Sequence, residues 1–119
     1  MGLSVLIVDD HDDFRTFARL LLESGGFTVI GEAADAASAL TEAQRLQPDV
    51  ALVDVGLPDR DGIDLAGDLA GQGVPATVLV SSRDAAAYGP RLRVSRALGF
   101  IVKSDLSTAR LRAVLGTAP

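Results

Sequence analysis

The sequence has no cysteine and no tryptophan, one tyrosine and four phenylalanines. Without cysteine there can be neither a disulfide nor a thiolate metal site, and nothing marks the chain for an oxidising compartment. With aromatics at 4% of the residues, a core has to be built from Val, Leu, Ile and Ala. Basic residues are in the minority, 11 Lys and Arg against 16 Asp and Glu, for a net charge of −5. No basic cluster offsets that balance, which argues against nucleic acid or an anionic membrane as a direct partner. No apolar run approaches the ~20 residues a membrane-spanning helix needs, and the start, Met1-Gly2-Leu3-Ser4, lacks the basic-then-apolar pattern of a leader. There is no internal repeat and no low-complexity segment. What remains is a chain of 119 residues, 48% hydrophobic, long enough to bury one core of its own and expected to form one soluble, cytoplasmic domain.

Short apolar runs punctuate this chain, and four of them end in polar residues. Val50-Ala51-Leu52-Val53 runs into Asp54 and then into the turn-rich Val55-Gly56-Leu57-Pro58-Asp59-Arg60-Asp61-Gly62. Val5-Leu6-Ile7-Val8 ends on Asp9-Asp10, Val78-Leu79-Val80 on Ser81-Ser82, and Phe100-Ile101-Val102 on Lys103. Runs that are apolar at every position suit strands covered on both faces. Between them, helical spacing recurs: Phe14, Phe17, Ala18, Leu21 and Leu22, with Asp12 placed to cap, then Ala36, Leu40, Ala43 and Leu46, ending before Pro48. Phe27 to Ala33 reads as a more polar strand, nearer an edge. Ile63, Leu65, Ala66 and Leu69 suggest a third helix, stopped by Gly71 and Gly73. Between Asp84 and Leu98 the signals conflict, since Ala85-Ala86-Ala87 favours helix and Gly89-Pro90 interrupts it; a helix starting near Pro90 is one solution. Leu106, Leu111, Val114 and Leu115 predict a closing helix capped by Asp105 or Ser107, with residues 117–119 a tail or linker stub. Strand and helix thus alternate five times, which implies right-handed crossovers and a parallel sheet between helical layers.

In such a sheet, chemistry collects at the C-terminal strand ends. Asp9, Asp10 and Asp54 should converge there. Two carboxylates about 4 Å apart repel by roughly 4 kcal/mol at an effective dielectric near 20, so three of them call for a cation. Oxygen ligands with no His or Cys partner point to Mg²⁺. Lys103 adds a fixed positive charge and Ser81 a hydroxyl. Together they make a receptor for a phosphoryl group, with a carboxylate as nucleophile.

These residues resemble the receiver domain of bacterial two-component response regulators, over nearly the whole chain. Leu6-Ile7-Val8-Asp9-Asp10, Val53-Asp54-Val55-Gly56-Leu57-Pro58 with Asp61-Gly62, Val80-Ser81-Ser82 and Gly99-Phe100-Ile101-Val102-Lys103 carry the likeness. The resemblance implies an α/β, flavodoxin-like (βα)5 three-layer sandwich with a five-stranded parallel sheet of order 2-1-3-4-5, spanning residues 1–116. It implies that Asp54 accepts the phosphoryl group of a sensor histidine kinase or phosphotransfer protein. Asp9, Asp10 and Asp54, with the backbone carbonyl of Gly56, would hold Mg²⁺, and Lys103 would pair with the phosphoryl oxygens. Ser81 and Phe100 would be the switch pair that turns a partner-binding face. A fused or separate output domain and a homodimer formed on activation are further implications, and the chain itself would not be an enzyme.

Three departures qualify the likeness. Ser104 follows the lysine where proline is frequent, Gly89-Pro90 falls within the expected fourth helix, and Gly56 and Arg83 stand where side chains tune the phosphoryl lifetime. An aspartate-nucleophile phosphohydrolase of the haloacid dehalogenase type would want a second acid two residues after the nucleophile, and Val55-Gly56 follows Asp54 instead. A receiver-like docking module that works without phosphorylation is the alternative left by Gly89-Pro90. His11 is read as a solvated bystander.

Overall fold

The computed structural model describes residues 2–116. Five strands, β1 (Ser4–Val8), β2 (Thr28–Ala33), β3 (Val50–Asp54), β4 (Ala76–Ser81) and β5 (Gly99–Val102), form one sheet in the order β2-β1-β3-β4-β5. Every pairing is parallel. This is the flavodoxin-like order expected of the sequence, with β2 at one edge.

Alternation along each strand sorts the side chains into two cores. Leu6, Val8, Ala51, Val53 and Leu79 face α2 (Ala36–Leu46) and α3 (Gly62–Gly71), which cover them with Ala36, Ala39, Ala43, Ile63, Leu65, Ala66 and Leu69. Val5, Ile7, Val50, Leu52, Val78, Val80 and Ile101 face α1 (Asp12–Ser24) and α5 (Thr108–Leu115), which supply Ala18, Leu22 and Leu111. The result is three layers, with the aliphatic core that the shortage of aromatics requires.

Side-chain caps fix where most helices begin, each worth about 1 kcal/mol. Asp35 accepts from Ser38 N at 2.8 Å, Asp61 from Ile63 N at 2.7 Å and Ser107 from Arg110 N at 3.0 Å. Of the two caps proposed for the closing helix, Ser107 is therefore the one used. Leu106 does not belong to that helix: it follows a 3-10 turn over Lys103–Asp105 and is buried beneath the chain as it enters α5. Asp12 is not the cap of α1 either. His11 occupies that position with extended backbone: Asp9 Oδ1 takes the His11 N–H at 2.8 Å and the helix starts one residue earlier, at Asp12, which pairs with Arg15 in the first turn.

Between β4 and β5 the conflicting signals resolve into two short pieces. Ala85–Ala87 makes one 3-10 turn, and α4 (Pro90–Arg93) makes one helical turn with Pro90 at its start. Gly89 joins them at φ 59°, ψ −139°, in the left-handed half of conformational space that favours glycine. A full fourth helix is thus replaced by a strap. Residues 117–119, the expected tail, lie outside the described residues.

Candidate phosphoacceptor site

The parallel sheet brings the carboxyl ends of β1, β3, β4 and β5 to one edge. Asp9, just past β1, is completely buried and Asp54, the last residue of β3, is 5% exposed. Such burial of charged groups requires partners. Lys103, immediately after β5 and 17% exposed, supplies one: its Nζ lies 2.6 Å from Asp9 Oδ2 and 3.7 Å from Asp54 Oδ1. The ammonium rests 4.4 Å from the centre of the Phe14 ring, a cation–π contact that holds it over the carboxylates.

These surroundings act on the Asp54 carboxyl. Burial raises the Asp54 carboxyl above the ordinary range, the nearby Asp9 charge adds to this, and Lys103 and the Gly56 N–H hydrogen bond only partly counter it. A carboxylate kept out of water beside a like charge is a basic oxygen whose negative charge is poorly compensated. That is the property of a nucleophile or of an anionic metal ligand.

Carboxylate and imidazole atoms of Asp9, Asp10, His11 and Asp54 all lie within 4.8 Å of one another. Asp9 Oδ2 is buried and makes no oriented hydrogen bond; the Lys103 ammonium approaches it as an ion pair, off the line a hydrogen bond needs. An oxygen with unused bonding capacity inside a mainly oxygen-lined cluster of this span fits a hard divalent cation.

His11, read from sequence as a bystander, has a part in the cluster although it is 66% exposed. Its Nδ1 lies 3.0 Å from Asp9 Oδ1 and 3.2 Å from Asp10 Oδ1. The expectation that the carboxylates stand without a histidine is corrected accordingly. The cause is local: the Asp9 carboxylate that takes the His11 N–H also draws in its ring.

The loops are pinned from outside. Arg15 Nη1 donates to the Asp9 carbonyl at 2.5 Å and its Nε to Glu32 at 3.0 Å, while Arg19 Nε donates to the same Glu32 at 2.7 Å. Burial pushes the Glu32 carboxyl up, but the two guanidinium groups outweigh this and hold it below the usual range. On the other side, Asp59 accepts from Ala36 N at 2.8 Å and Ala37 N at 3.0 Å, tying the loop after Asp54 to the start of α2. Neither anchor was read from the sequence; acids 13 or more residues away from their partners leave no periodic signal. Gly62 explains itself by contact: a Cβ there would stand 2.2 Å from the Asp54 carbonyl oxygen and 2.8 Å from Val55 Cα. Gly62→Ala is expected to destabilise the domain by about 1–3 kcal/mol, read as a lower urea midpoint with an unchanged slope; an unchanged midpoint would refute this packing.

Ser81 and Phe100 form a second group beside the first. Asp54 pairs with Val80 across β3 and β4, so buried Ser81 stands one residue beyond the partner of Asp54. Its Oγ accepts the Arg83 N–H at 3.0 Å and lies 2.5 Å from the Tyr88 hydroxyl. The Tyr88 ring packs against Phe100, with centroids 5.9 Å apart and planes at 59°. Tyr88 went unremarked in the sequence, where the only available signal was a lone aromatic in a loop seven residues after Ser81.

Comparison with known proteins bears on this arrangement. The response regulator receiver domain family matches residues 5–115. A protein of Pseudomonas aeruginosa named as a transcriptional regulator is 41% identical over 102 residues, covering 85% of this chain and 49% of its own length. The regulatory protein NarL of Mycobacterium tuberculosis is 37% identical over 116 residues, 96% of this chain and 54% of its own. The chain thus spans about half the length of these curated relatives. The solved receiver domain of that NarL superposes with a TM-score of 0.83 at 35% identity, covering 97% of this chain and 94% of the other. Among the described residues no helix is long and apolar enough to cross a membrane.

Proposed function

This chain belongs to the response regulator receiver family, and from that premise we propose that Asp54 accepts a phosphoryl group from a histidine kinase or phosphotransfer protein in a Mg²⁺-dependent reaction, switching a partner-binding face. The observation that carries the proposal is the triad at the strand ends: two carboxylates with little or no exposure and one ammonium 2.6 Å from the first and 3.7 Å from the second.

An Asp54 carboxylate oxygen attacks phosphorus, the phosphorus–nitrogen bond of the donor phosphohistidine breaks, and its electron pair returns to the imidazole. The product is an acyl phosphate on Asp54. Asp9, Asp10, Asp54 and the Gly56 carbonyl would hold Mg²⁺, which supplies positive charge between the carboxylates and the phosphoryl oxygens when bound. Lys103, steered by Phe14, pairs with a phosphoryl oxygen as charge arrives. Ser81 then turns its hydroxyl to the phosphoryl group, and Phe100 follows. Residues 1–116 act as the receiver. The match to the receiver family and the likeness to NarL support an output domain, fused or separate, a cytoplasmic location and a transcriptional role, and activation through a homodimer is consistent with them.

The test is direct. Incubated with acetyl phosphate and Mg²⁺, the protein should gain the mass of one phosphoryl group, and should not do so after chelation or in Asp54→Asn. No gain in wild-type protein that binds Mg²⁺ would overturn the proposal in favour of the phosphorylation-independent docking module.

A further inference from the structure

The Ser81 hydroxyl is engaged on two sides. A serine hydroxyl has one proton and two lone pairs, and here Arg83 N–H takes one lone pair while the Tyr88 phenol, at 2.5 Å, takes either the proton or the second. Where Oγ donates its one proton to the phenol, that proton has to leave Tyr88 before it can reach a phosphoryl oxygen, and turning the side chain toward Asp54 breaks the short contact in either sense. The phenol is not held casually. Asp84 caps the 3-10 turn before it, accepting from Ala86 N at 3.1 Å. Gly89 at positive φ reverses the chain after it. Arg91 on α4 then donates to Asp61 Oδ2 at 2.8 Å, so the strap carrying Tyr88 is tied at its far end to the loop that follows Asp54. Phe100 leans on the Tyr88 ring, and also walls a pocket of about 380 Å³ with Leu79, Ala85, Leu92 and Leu98.

We propose that Tyr88 is a positioning residue that latches Ser81: its phenol and the phosphoryl group on Asp54 compete for one hydroxyl, so phosphorylation releases Tyr88 and with it the strap over residues 84–93. The inference rests on the reading of Asp54 as phosphoacceptor and deepens it, by assigning the resting partner of the switch hydroxyl. With Tyr88 gone, the hydroxyl is freer to turn and the phosphorylated arrangement is favoured.

The experiment titrates wild-type protein and Tyr88→Phe with beryllofluoride in saturating Mg²⁺, measuring affinity by calorimetry. Phenylalanine keeps the ring on Phe100 and removes only the hydroxyl, so the variant should fold. It is expected to bind about three- to tenfold more tightly, the effect of one hydrogen bond lost from the resting state. Because Tyr88 is the sole tyrosine and there is no tryptophan, wild-type fluorescence reports this residue alone. The emission should change on beryllofluoride binding, and in Ser81→Ala it should start from a different level and stay there. A merely structural Tyr88 would lower the melting temperature of the variant and leave affinity unimproved and emission unmoved. If wild-type protein takes no beryllofluoride, the phosphoacceptor reading fails and the latch fails with it. If wild type binds and Tyr88→Phe binds equally or more weakly, the latch alone is refuted.

Discussion

Lys103→Met is expected to lower the stability of the metal-free domain by about 3–5 kcal/mol at neutral pH, the cost of leaving a buried charge without its partner. A domain of this size has only about 5–15 kcal/mol in total, so the variant should stand close to unfolding. The residue left behind is Asp9, with no exposure of its own, and Asp54 beside it. Lys103 is also one of the influences lowering the Asp54 carboxyl, so its removal raises that group further. Acid should then narrow the gap between variant and wild type, because protonating one carboxylate removes the repulsion. Saturating Mg²⁺ should narrow it as well, by restoring positive charge between the same groups. Urea midpoints with and without Mg²⁺ measure this. A variant as stable as wild type in chelator would show that the ammonium does not compensate Asp9 and Asp54. With acetyl phosphate, the variant should be phosphorylated about 10²–10³-fold more slowly, the usual cost of removing one fixed donor to developing charge.

Asp54→Asn should do the opposite to stability while abolishing the phosphoryl adduct. The folded protein raises the Asp54 carboxyl above its ordinary value of 3.8, through burial first and the Asp9 charge second. Between the unfolded and folded titrations the native state therefore binds more protons than the unfolded one, and stability falls as pH rises through that window. The penalty is fully present above the folded-state titration and disappears below the ordinary carboxylate value. Asparagine carries no such penalty. The variant should melt a few degrees above wild type in chelator at pH 7, with the advantage fading as the pH approaches 3.8 from above. Mg²⁺ should stabilise wild type and do little for the variant. Thermal melts at several pH values check the sign: a variant less stable than wild type at neutral pH would mean that Asp54 is satisfied in the resting state.

The parts of this protein that sequence makes legible are those where one residue type repeats in a pattern. All-apolar runs in Val5–Val8, Val50–Val53 and Val78–Val80 mark strands buried on both faces, and the polar residue ending each run marks the site edge. Asp9, Asp10, Asp54 and Lys103 were therefore found together, although they come from three strands. Legibility ends where one contact decides. Asp12 looked like the better cap, but the carboxylate of Asp9 reaches the His11 N–H and sets the helix start. Leu106 has helical spacing to Leu111, yet the 3-10 turn at Lys103 absorbs it. Tyr88 stands among alanines and a glycine with no period to place it, and only the folded chain brings its hydroxyl to Ser81.

The central claim is that Asp54 itself carries the phosphoryl group, and trapping measures this most directly. Protein treated with acetyl phosphate and Mg²⁺ is reduced with borohydride, which converts an aspartyl phosphate to homoserine, and is then digested and sequenced by mass spectrometry. Homoserine at position 54 alone, absent when Mg²⁺ is chelated, is the predicted result. Homoserine at Asp9 or Asp10, or a phosphoryl group retained on His11 with residue 54 unmodified, would contradict the account.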